Sequence, residues 1–138
     1  MVGEVAEFVA MQLRDYASGL ELARAAVALN PWYSAWLWNV LGDCLYCLDR
    51  HRDAHESYLQ ARRIDPCDPR TNLNLAYTWL QQSEYGEALS AIAVGLERDT
   101  AEFYRQRLLE KQQHVLTAIS ARWAGEAARL AQRASRLR

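Results

Sequence analysis

The sequence has almost no lysine, few cysteines and no long apolar run. Only Lys111 among the 16 basic residues is a lysine, which we attribute to genomic composition rather than to function. No run of about 18 apolar residues occurs, so we expect no membrane-spanning helix. The N-terminus carries acidic residues where a secretory signal has a basic start. Three cysteines without such a signal argue against a disulfide framework. These absences predict a cytoplasmic chain or a fragment of a larger protein.

The charge of the chain is nearly balanced overall but unevenly distributed. The 138 residues include 16 basic and 17 acidic side chains, a formal net charge of −1. Residues 1–100 contain 8 basic and 14 acidic side chains, whereas residues 101–138 contain 8 and 3. The overall balance gives no indication of a nucleic-acid partner or of an anionic membrane surface. The sequence therefore describes an acidic body with a basic C-terminal segment.

The most regular pattern lies between Ala35 and Pro66. Apolar and small residues recur there every three or four positions in two runs, separated by a polar segment around Asp49 to Asp53. This spacing predicts two amphipathic helices joined by a short turn, and Pro66 ends the second helix. Small residues suit a close approach of two helices, and large aromatic ones fill the remaining space. The residues that carry the pattern are Trp38, Leu41, Gly42, Leu45, Ala54, Tyr58, Ala61 and Ile64.

The order of these residues resembles the signature of the tetratricopeptide repeat (TPR). That signature has Trp, Leu-Gly, Tyr, Ala, Phe, Ala and Pro at matching intervals, and Leu45 departs from it by replacing the Tyr. A further repeat begins at Pro69, 34 residues after Ala35, and it has Ala88, Ile92 and Gly95 where the signature has Ala, Phe and Ala. The resemblance implies an all-α, right-handed superhelix of tandem antiparallel helix hairpins, that is, a TPR-like α-solenoid.

We expect a single domain over residues 1–138. Its parts are a degenerate repeat at 1–31, the clear repeat at 35–66, another repeat at 69–100, and a C-terminal capping helix or divergent fourth hairpin at 101–138. The pattern predicts a helix over residues 2–14 with Val2, Val5, Ala6, Val9 and Leu13 on its buried face. In the last segment, residues 125–127 echo residues 86–88, which favours a bend near residues 120–125. One long helix is the alternative, and it would expose an apolar stripe.

Cys44, Cys47, His51 and His55 form the one cluster that suggests chemistry. Two thiolates and two imidazoles suit tetrahedral zinc. However, the two pairs are too close together for a zinc-finger pattern, and the repeat alignment places them on different helices. No Gly-rich phosphate loop and no arrangement of Ser, His and Asp is recognisable. We therefore expect no metal site, no cofactor, no small-molecule substrate and no catalysis.

The resemblance also implies a binding surface. In such solenoids the first helix of each hairpin lines a concave groove, and its positions outside the signature point into that groove. In this sequence these positions mix aromatic with polar and charged side chains, which suits an extended or helical peptide of a partner protein. The alternative is that the aromatic rings merely pack against a neighbouring helix. The implied groove residues are Trp36, Asn39, Asp43, Tyr46, Arg70, Leu73, Asn74, Tyr77 and Gln81, with Cys47 and Leu80 beside them.

The C-terminal segment indicates a second possible function. Trp123 and Leu130 stand there with a single acid, Glu126, among five arginines: Arg122, Arg129, Arg133, Arg136 and Arg138. Such a segment can cap the solenoid, self-associate by burying its apolar stripe, or contact RNA or lipid. We therefore expect a non-catalytic protein–protein interaction scaffold that binds a partner in the groove. The alternative is an assembly module that forms a homodimer through Trp123 and Leu130.

Overall fold

The computed structural model describes residues 2–98 and 100–136, and these residues are helical without a β-strand. Arg138, one of the five arginines noted above, lies outside the described residues. The helices are α1 (Val2–Glu7), which continues directly into a π-helical turn (Phe8–Gln12), α2 (Tyr16–Leu29), α3 (Ala35–Cys47), α4 (His51–Ile64), α5 (Pro69–Gln81), α6 (Tyr85–Glu97) and α7 (Glu102–Arg136).

The first six helices form three antiparallel hairpins, and α7 packs against the last of them. α1 pairs with α2, α3 with α4, and α5 with α6, while α7 contacts both α5 and α6. The helices α1, α3, α5 and α7 form a row of neighbours, and each of α2, α4 and α6 packs against two of them. The all-α, TPR-like solenoid expected from the sequence is confirmed. We call the surface formed by α1, α3, α5 and α7 the inner face.

Side-chain caps begin three of the helices. Asp15 caps α2, Ser34 caps α3 and Asp68 caps α5, each by accepting a hydrogen bond from a backbone N–H of the first turn. These bonds satisfy donors that have no partner within the helix. Pro69 follows Asp68 as the first residue of α5, where a missing N–H costs no helical hydrogen bond. Local sequence therefore determines where these three helices start, whereas α4 and α6 begin without a side-chain cap.

Each hairpin turns at a residue in the left-handed backbone region. Arg14, Asp49 and Ser83 have φ values of 55°, 60° and 60°. Their spacing of 35 and 34 residues shows that the same turn recurs once in each repeat. This conformation costs a residue with a Cβ roughly 1–2 kcal/mol, so the packing of each helix pair must hold the turn in place.

Two close helix crossings depend on glycine. A Cβ at Gly19 would lie 2.6 Å from the Cβ of Ala10, and a Cβ at Gly42 would lie 2.7 Å from Cδ1 of Tyr58. Neither distance is compatible with an additional carbon atom. The absence of a side chain therefore sets the separation of the π-helical turn from α2 and of α3 from α4.

The first helix buries only part of the expected face: Ala6 is buried and Val9 is partly buried. Its buried residues are small, namely Gly3, Ala6 and, within the π-helical turn, Ala10. Val2, Val5 and Leu13 are exposed, so the expectation for these three residues was wrong. Small residues allow α1 to approach its neighbours closely. In addition, the π-helical turn accommodates extra residues and rotates the positions that follow it out of the α-helical phase.

The C-terminal segment is one continuous helix, so the bend that the sequence favoured is absent and that interpretation was wrong. α7 spans 35 residues, and its Leu108 and Val115 are fully buried against the third hairpin. Trp123 and Leu130 are 65% and 64% exposed. Gly125 has only a distant side-chain neighbour, so it marks no helix crossing at which the chain would have to bend.

We call residues 120–136 of α7 the overhang. Arg122, Trp123 and Glu126 still line a cavity with Tyr85 of α6, and the residues after Glu126 extend beyond the packed body. At 1.5 Å per residue the overhang is about 25 Å long. No helix within residues 2–98 and 100–136, α7 included, has an apolar stretch long enough to span a bilayer.

Candidate partner-binding site

The inner face contains a cavity of about 240 Å³ between the π-helical turn, α3 and α5, which we call the central pocket. Tyrosine rings, a thioether and a thiol make most of its wall apolar, and a carboxylate and an amide add polar atoms. The volume exceeds the roughly 150 Å³ of a protein cavity that binds benzene, so the pocket can hold one large apolar side chain. The lining residues are Met11, Asp43, Tyr46, Cys47, Tyr58, Asn74 and Tyr77.

Arg70 links three helices beside the central pocket. Its Nη1 donates to Oε1 of Glu7 at 3.1 Å, and its Nη2 donates to Oδ2 of Asp43 at 2.8 Å. All three side chains are partly buried, so solvent screens these ion pairs less than it screens pairs on an open surface. The group joins α1, α3 and α5 and carries a net charge of −1.

Asp43 uses its carboxylate inside the protein. Its Oδ1 accepts hydrogen bonds from Tyr58 Oη at 2.7 Å and from Asn74 Nδ2 at 3.2 Å, in addition to the bond from Arg70. Burial raises the pKa of Asp43, although Arg70 and Tyr58 oppose this change by stabilising the charged form. Burial and the adjacent carboxylate also raise the pKa of Tyr58, so its hydroxyl remains a donor. These bonds hold the floor of the pocket in one arrangement.

Asn39 and Leu73, two of the implied groove residues, have almost no exposed surface. Asn39 is 0% exposed, and its Nδ2 donates to Thr71 Oγ1 at 2.7 Å and to the carbonyl of Ala35 at 3.1 Å. Its Oδ1 accepts a hydrogen bond from Asn74 Nδ2 at 3.0 Å. Leu73 belongs to the buried core. In this structure, therefore, Asn39 orients a pocket residue, and Leu73 packs inside the protein.

Trp36 is half-buried and packs against α1. Its Nε1 donates to Oε2 of Glu7 at 3.0 Å, and its ring occupies the space in which a Cβ of Gly3 would lie. The indole thus shares Glu7 with Arg70 and helps to hold α1 against α3. This is the packing role that the sequence left open as an alternative.

The remaining implied residues keep accessible surface on the inner face. The ring of Tyr46 lies edge-on to His51, with 4.6 Å between ring centroids, and its hydroxyl accepts from Gln81 Nε2 at 2.9 Å. Tyr77 is partly exposed, and Nζ of Lys111 lies 3.5 Å from the centroid of its ring. Burial lowers the pKa of Lys111. Contacts from neighbouring helices therefore hold both tyrosine rings in position.

A second cavity, of about 300 Å³, continues the inner face along α1, and we call it the acidic edge. It is lined by Glu4, Glu7, Phe8, Met11 and Gln12, and it shares Met11 with the central pocket. Phe8 is exposed, and Glu4 forms no ion pair with another residue of the described ranges. The acidic edge thus combines an uncovered aromatic ring with negative charge.

Sequence reasoning missed Met11, Tyr58 and Glu7 as residues of this site. Met11 reaches the pocket from the π-helical turn, a local geometry that hydrophobic periodicity does not reveal. Tyr58 matched a repeat signature and was interpreted as core, and its hydroxyl nevertheless contacts Asp43 at the pocket. Glu7 is 63 residues away from Arg70, so no local pattern indicates their ion pair.

The cysteine and histidine cluster does not assemble into one site. Cys44 is fully buried, and burial raises its pKa to about 11, which keeps its thiol protonated at neutral pH. His55 lies on α4, where its Nδ1 is 2.6 Å from Oγ1 of Thr78. Cys47 lines the central pocket instead. Among the described residues, no three side chains of the metal-binding types come together.

Solved structures with this fold include chaperones and TPR domains. The Yersinia enterocolitica type III secretion chaperone SycD, in complex with a peptide of the translocator YopD, matches with a TM-score of 0.73 over 85% of this chain and 91% of that chain, at 21% identity. The TPR domain of Sgt2 from Aspergillus fumigatus matches with a TM-score of 0.69 over 83% and 77%, at 17% identity. The fold is therefore that of TPR-like helical solenoids, which confirms the resemblance seen in the sequence.

Similarity in sequence is found to part of a larger protein. BBSome complex member BBS4 of Mus musculus is 32% identical over 82 residues, which are 59% of this chain. The chain spans only 16% of the length of that relative. No family model matches the sequence.

Proposed function

We propose that the chain is a non-catalytic, cytoplasmic interaction scaffold that binds a peptide or helix of a partner protein on its inner face. The central pocket carries this proposal, because it is a cavity of about 240 Å³ with tyrosine walls at the centre of that face. Binding energy in protein interfaces concentrates where aromatic side chains and well-formed pockets meet. The complex of SycD with a YopD peptide supports a peptide as the kind of ligand that this fold accepts.

Different residues of the inner face have different roles in binding the ligand. The central pocket takes one apolar side chain of the ligand between Tyr46 and Tyr77. The amide groups of Asn74 and Gln81 bond to the ligand backbone and set its register. Arg70 keeps its ion pairs with Asp43 and Glu7, so it maintains the shape of the pocket and does not contact the ligand through a free charge. The buried or half-buried side chains beneath the pocket hold these residues in position; they are Trp36, Asn39 and Leu73.

Cys47 provides a natural probe of pocket occupancy, because its exposed thiol lines the central pocket. Cys67 lies outside the pocket, in the turn before α5, and serves as the internal control. Burial raises the pKa of Cys47, so labelling with a maleimide is measured at mildly alkaline pH. A partner captured from a lysate of the source cell should slow the labelling of Cys47 and leave that of Cys67 unchanged. Equal labelling of Cys47 with and without the partner would reject the pocket as the binding site.

A matched pair of variants tests the same proposal by affinity. Tyr46→Ala should weaken partner binding by at least about tenfold, as expected for the loss of an aromatic anchor. Trp32→Ala removes an aromatic ring that is 67% exposed in the turn between α2 and α3, and it should bind as the wild type does. Arg70→Ala is less informative, because it would leave the carboxylates of Asp43 and Glu7 without their shared partner and would destabilise the fold.

A second candidate function is self-association through the overhang. The observation that favours it is the exposure of Trp123 and Leu130, whose side chains are 65% and 64% exposed. Sedimentation analysis should then find a homodimer at micromolar concentration. Trp123→Glu or Leu130→Glu should dissolve that dimer without loss of helical content. A wild-type chain that remains monomeric at high micromolar concentration would reject this function.

A further inference from the structure

Lys111, the one lysine of the chain, extends the row of pocket residues onto α7. It stands 34 residues after Tyr77, which itself stands 34 residues after Asp43, so the three side chains hold the same position in successive repeats. Asp43 and Tyr77 both line the central pocket. Nζ of Lys111 lies 3.5 Å from the centroid of the Tyr77 ring. The lysine is therefore the next member of this row on the inner face.

Lys111 is buried without a counter-ion. Only 8% of its surface is exposed, and no carboxylate of the described residues lies within ion-pair distance of its ammonium group. Burial lowers the pKa of Lys111, although the neighbouring Glu110 opposes this effect. The face of the Tyr77 ring offsets only part of the cost of removing an ammonium group from water. The site therefore lacks a negative charge.

A second cation lies beside Lys111 on the same side of α7. Arg107 precedes it by four residues, so the two side chains project within about 40° of each other. The guanidinium of Arg107 lies 4.4 Å from the centroid of Phe103 and forms no ion pair within residues 2–98 and 100–136. Glu110 is exposed and projects about 100° away from Lys111. The α7 end of the inner face is therefore positively charged.

The opposite end of the inner face is negatively charged. The acidic edge on α1 contains Glu4 and Glu7, and Glu7 shares Arg70 with Asp43. The central pocket lies between the two ends and has mostly apolar walls. A ligand that crosses the row of helices thus meets negative charge, then an apolar cavity, and then positive charge. This order favours one direction for a ligand that carries charge of its own.

The step from the central pocket to Lys111 is about one distance between helices. The pocket lies against α5, and Lys111 lies on the neighbouring helix α7. Neighbouring helix axes are about 8–10 Å apart, and an extended chain rises about 3.3 Å per residue. An extended ligand therefore covers this step in about three residues.

From this arrangement we propose that Lys111 binds a carboxylate of the ligand, so that the partner segment is acidic as well as apolar. A large apolar residue fills the central pocket, and an Asp or Glu about three residues away pairs with the ammonium group of Lys111. The inference rests on the proposed binding of a partner segment to the inner face, and it names the chemistry of that segment. The same acid at the other end would face Glu4 and be repelled, so the ligand lies with its acid over α7.

A displayed library of random peptides, selected on the wild-type chain, tests this specificity. The selected peptides should be enriched in a large apolar residue with an Asp or Glu about three positions away. In a synthetic copy of one such peptide, replacement of its acid by the matching amide should weaken binding by at least about tenfold. Lys111→Met keeps an unbranched apolar stem without the charge, and it should weaken binding of the original peptide by a similar factor.

The two changes should not add. When the amide peptide binds the Lys111→Met variant, the loss should be no larger than for either change alone, because both remove the same contact. Arg105→Met is the matched control, because it removes an exposed cation that projects about 120° away from Lys111. It should leave the affinity for the peptide unchanged. Losses that add independently, or an equal loss in Arg105→Met, would overturn the proposal.

The stability of the Lys111→Met variant separates a binding role from a packing role. Removal of a buried charge that lacks a counter-ion should leave the urea midpoint unchanged or raise it. A clearly lower midpoint would assign Lys111 to the packing of α7 against α5 and would overturn the proposal.

Tyr46→Ala separates failure of this inference from failure of the proposed function. Selected peptides that lack an acid but bind the Tyr46→Ala variant at least about tenfold more weakly would overturn the carboxylate site and support the central pocket. A library that yields no peptide dependent on Tyr46 would reject the proposed function, and this inference with it.

Discussion

Replacement of Gly42 by alanine should destabilise the fold through Tyr58. A Cβ at position 42 would lie 2.7 Å from Cδ1 and 2.9 Å from Cζ of the tyrosine ring, closer than a carbon atom can approach. Tyr58 is only 3% exposed, and it can yield to the new methyl group only by moving toward the central pocket that it lines. Its hydroxyl also donates to Oδ1 of Asp43 at 2.7 Å. A shift of the ring therefore breaks this hydrogen bond and changes the shape of the central pocket.

The expected magnitude follows from three effects. Overpacking of a well-packed core costs about 1–3 kcal/mol, and the loss of a hydrogen bond to a charged group costs about 1.5–3 kcal/mol. Alanine in a helix is more stable than glycine by about 0.5–1 kcal/mol. We expect the Gly42→Ala variant to lose about 2–4 kcal/mol of unfolding free energy.

Urea denaturation followed by circular dichroism measures this loss. Gly86→Ala is the matched control, because a Cβ there would have no neighbour within 4 Å, and it should be as stable as the wild type or slightly more so. In the Tyr58→Leu background, the Gly42→Ala change should cost much less, because the smaller side chain leaves space for the methyl group. A Gly42→Ala variant with wild-type stability would refute the argument that this helix crossing requires a glycine.

Two further predictions concern a turn and a buried histidine. Ser83→Gly should stabilise the protein by about 0.5–1 kcal/mol, because the φ of 60° suits glycine, whereas Ser90→Gly within α6 should destabilise it by a similar amount. Urea midpoints that shift in the same direction would contradict this explanation. Burial lowers the pKa of His55 below 6.5, so the unfolded chain binds the proton first and stability should fall as the pH drops below that value. His55→Gln should flatten this pH dependence, and an unchanged slope in the variant would show that another group causes it.

The sequence predicted part of the candidate site. Asp43, Tyr46, Asn74 and Tyr77 line the central pocket, so positions outside the repeat signature did indicate residues of the inner face. Asn39 occupies an equivalent position and is nevertheless fully buried. Helical position indicates the direction of a side chain, but not what the neighbouring helix places over it.

The sequence by itself determined the three hairpins, their turns and their caps. These features depend on the hydrophobic period of each helix, on capping residues and on small residues at the crossings within a hairpin. All of these act between positions close in the chain, so they can be recognised one segment at a time. Only the tertiary structure decided which face of α1 is buried, that α7 continues without a bend, and that Glu7 pairs with Arg70. These features depend on contacts between segments as far apart as 63 residues, where the shape and charge of one helix select the partner on another.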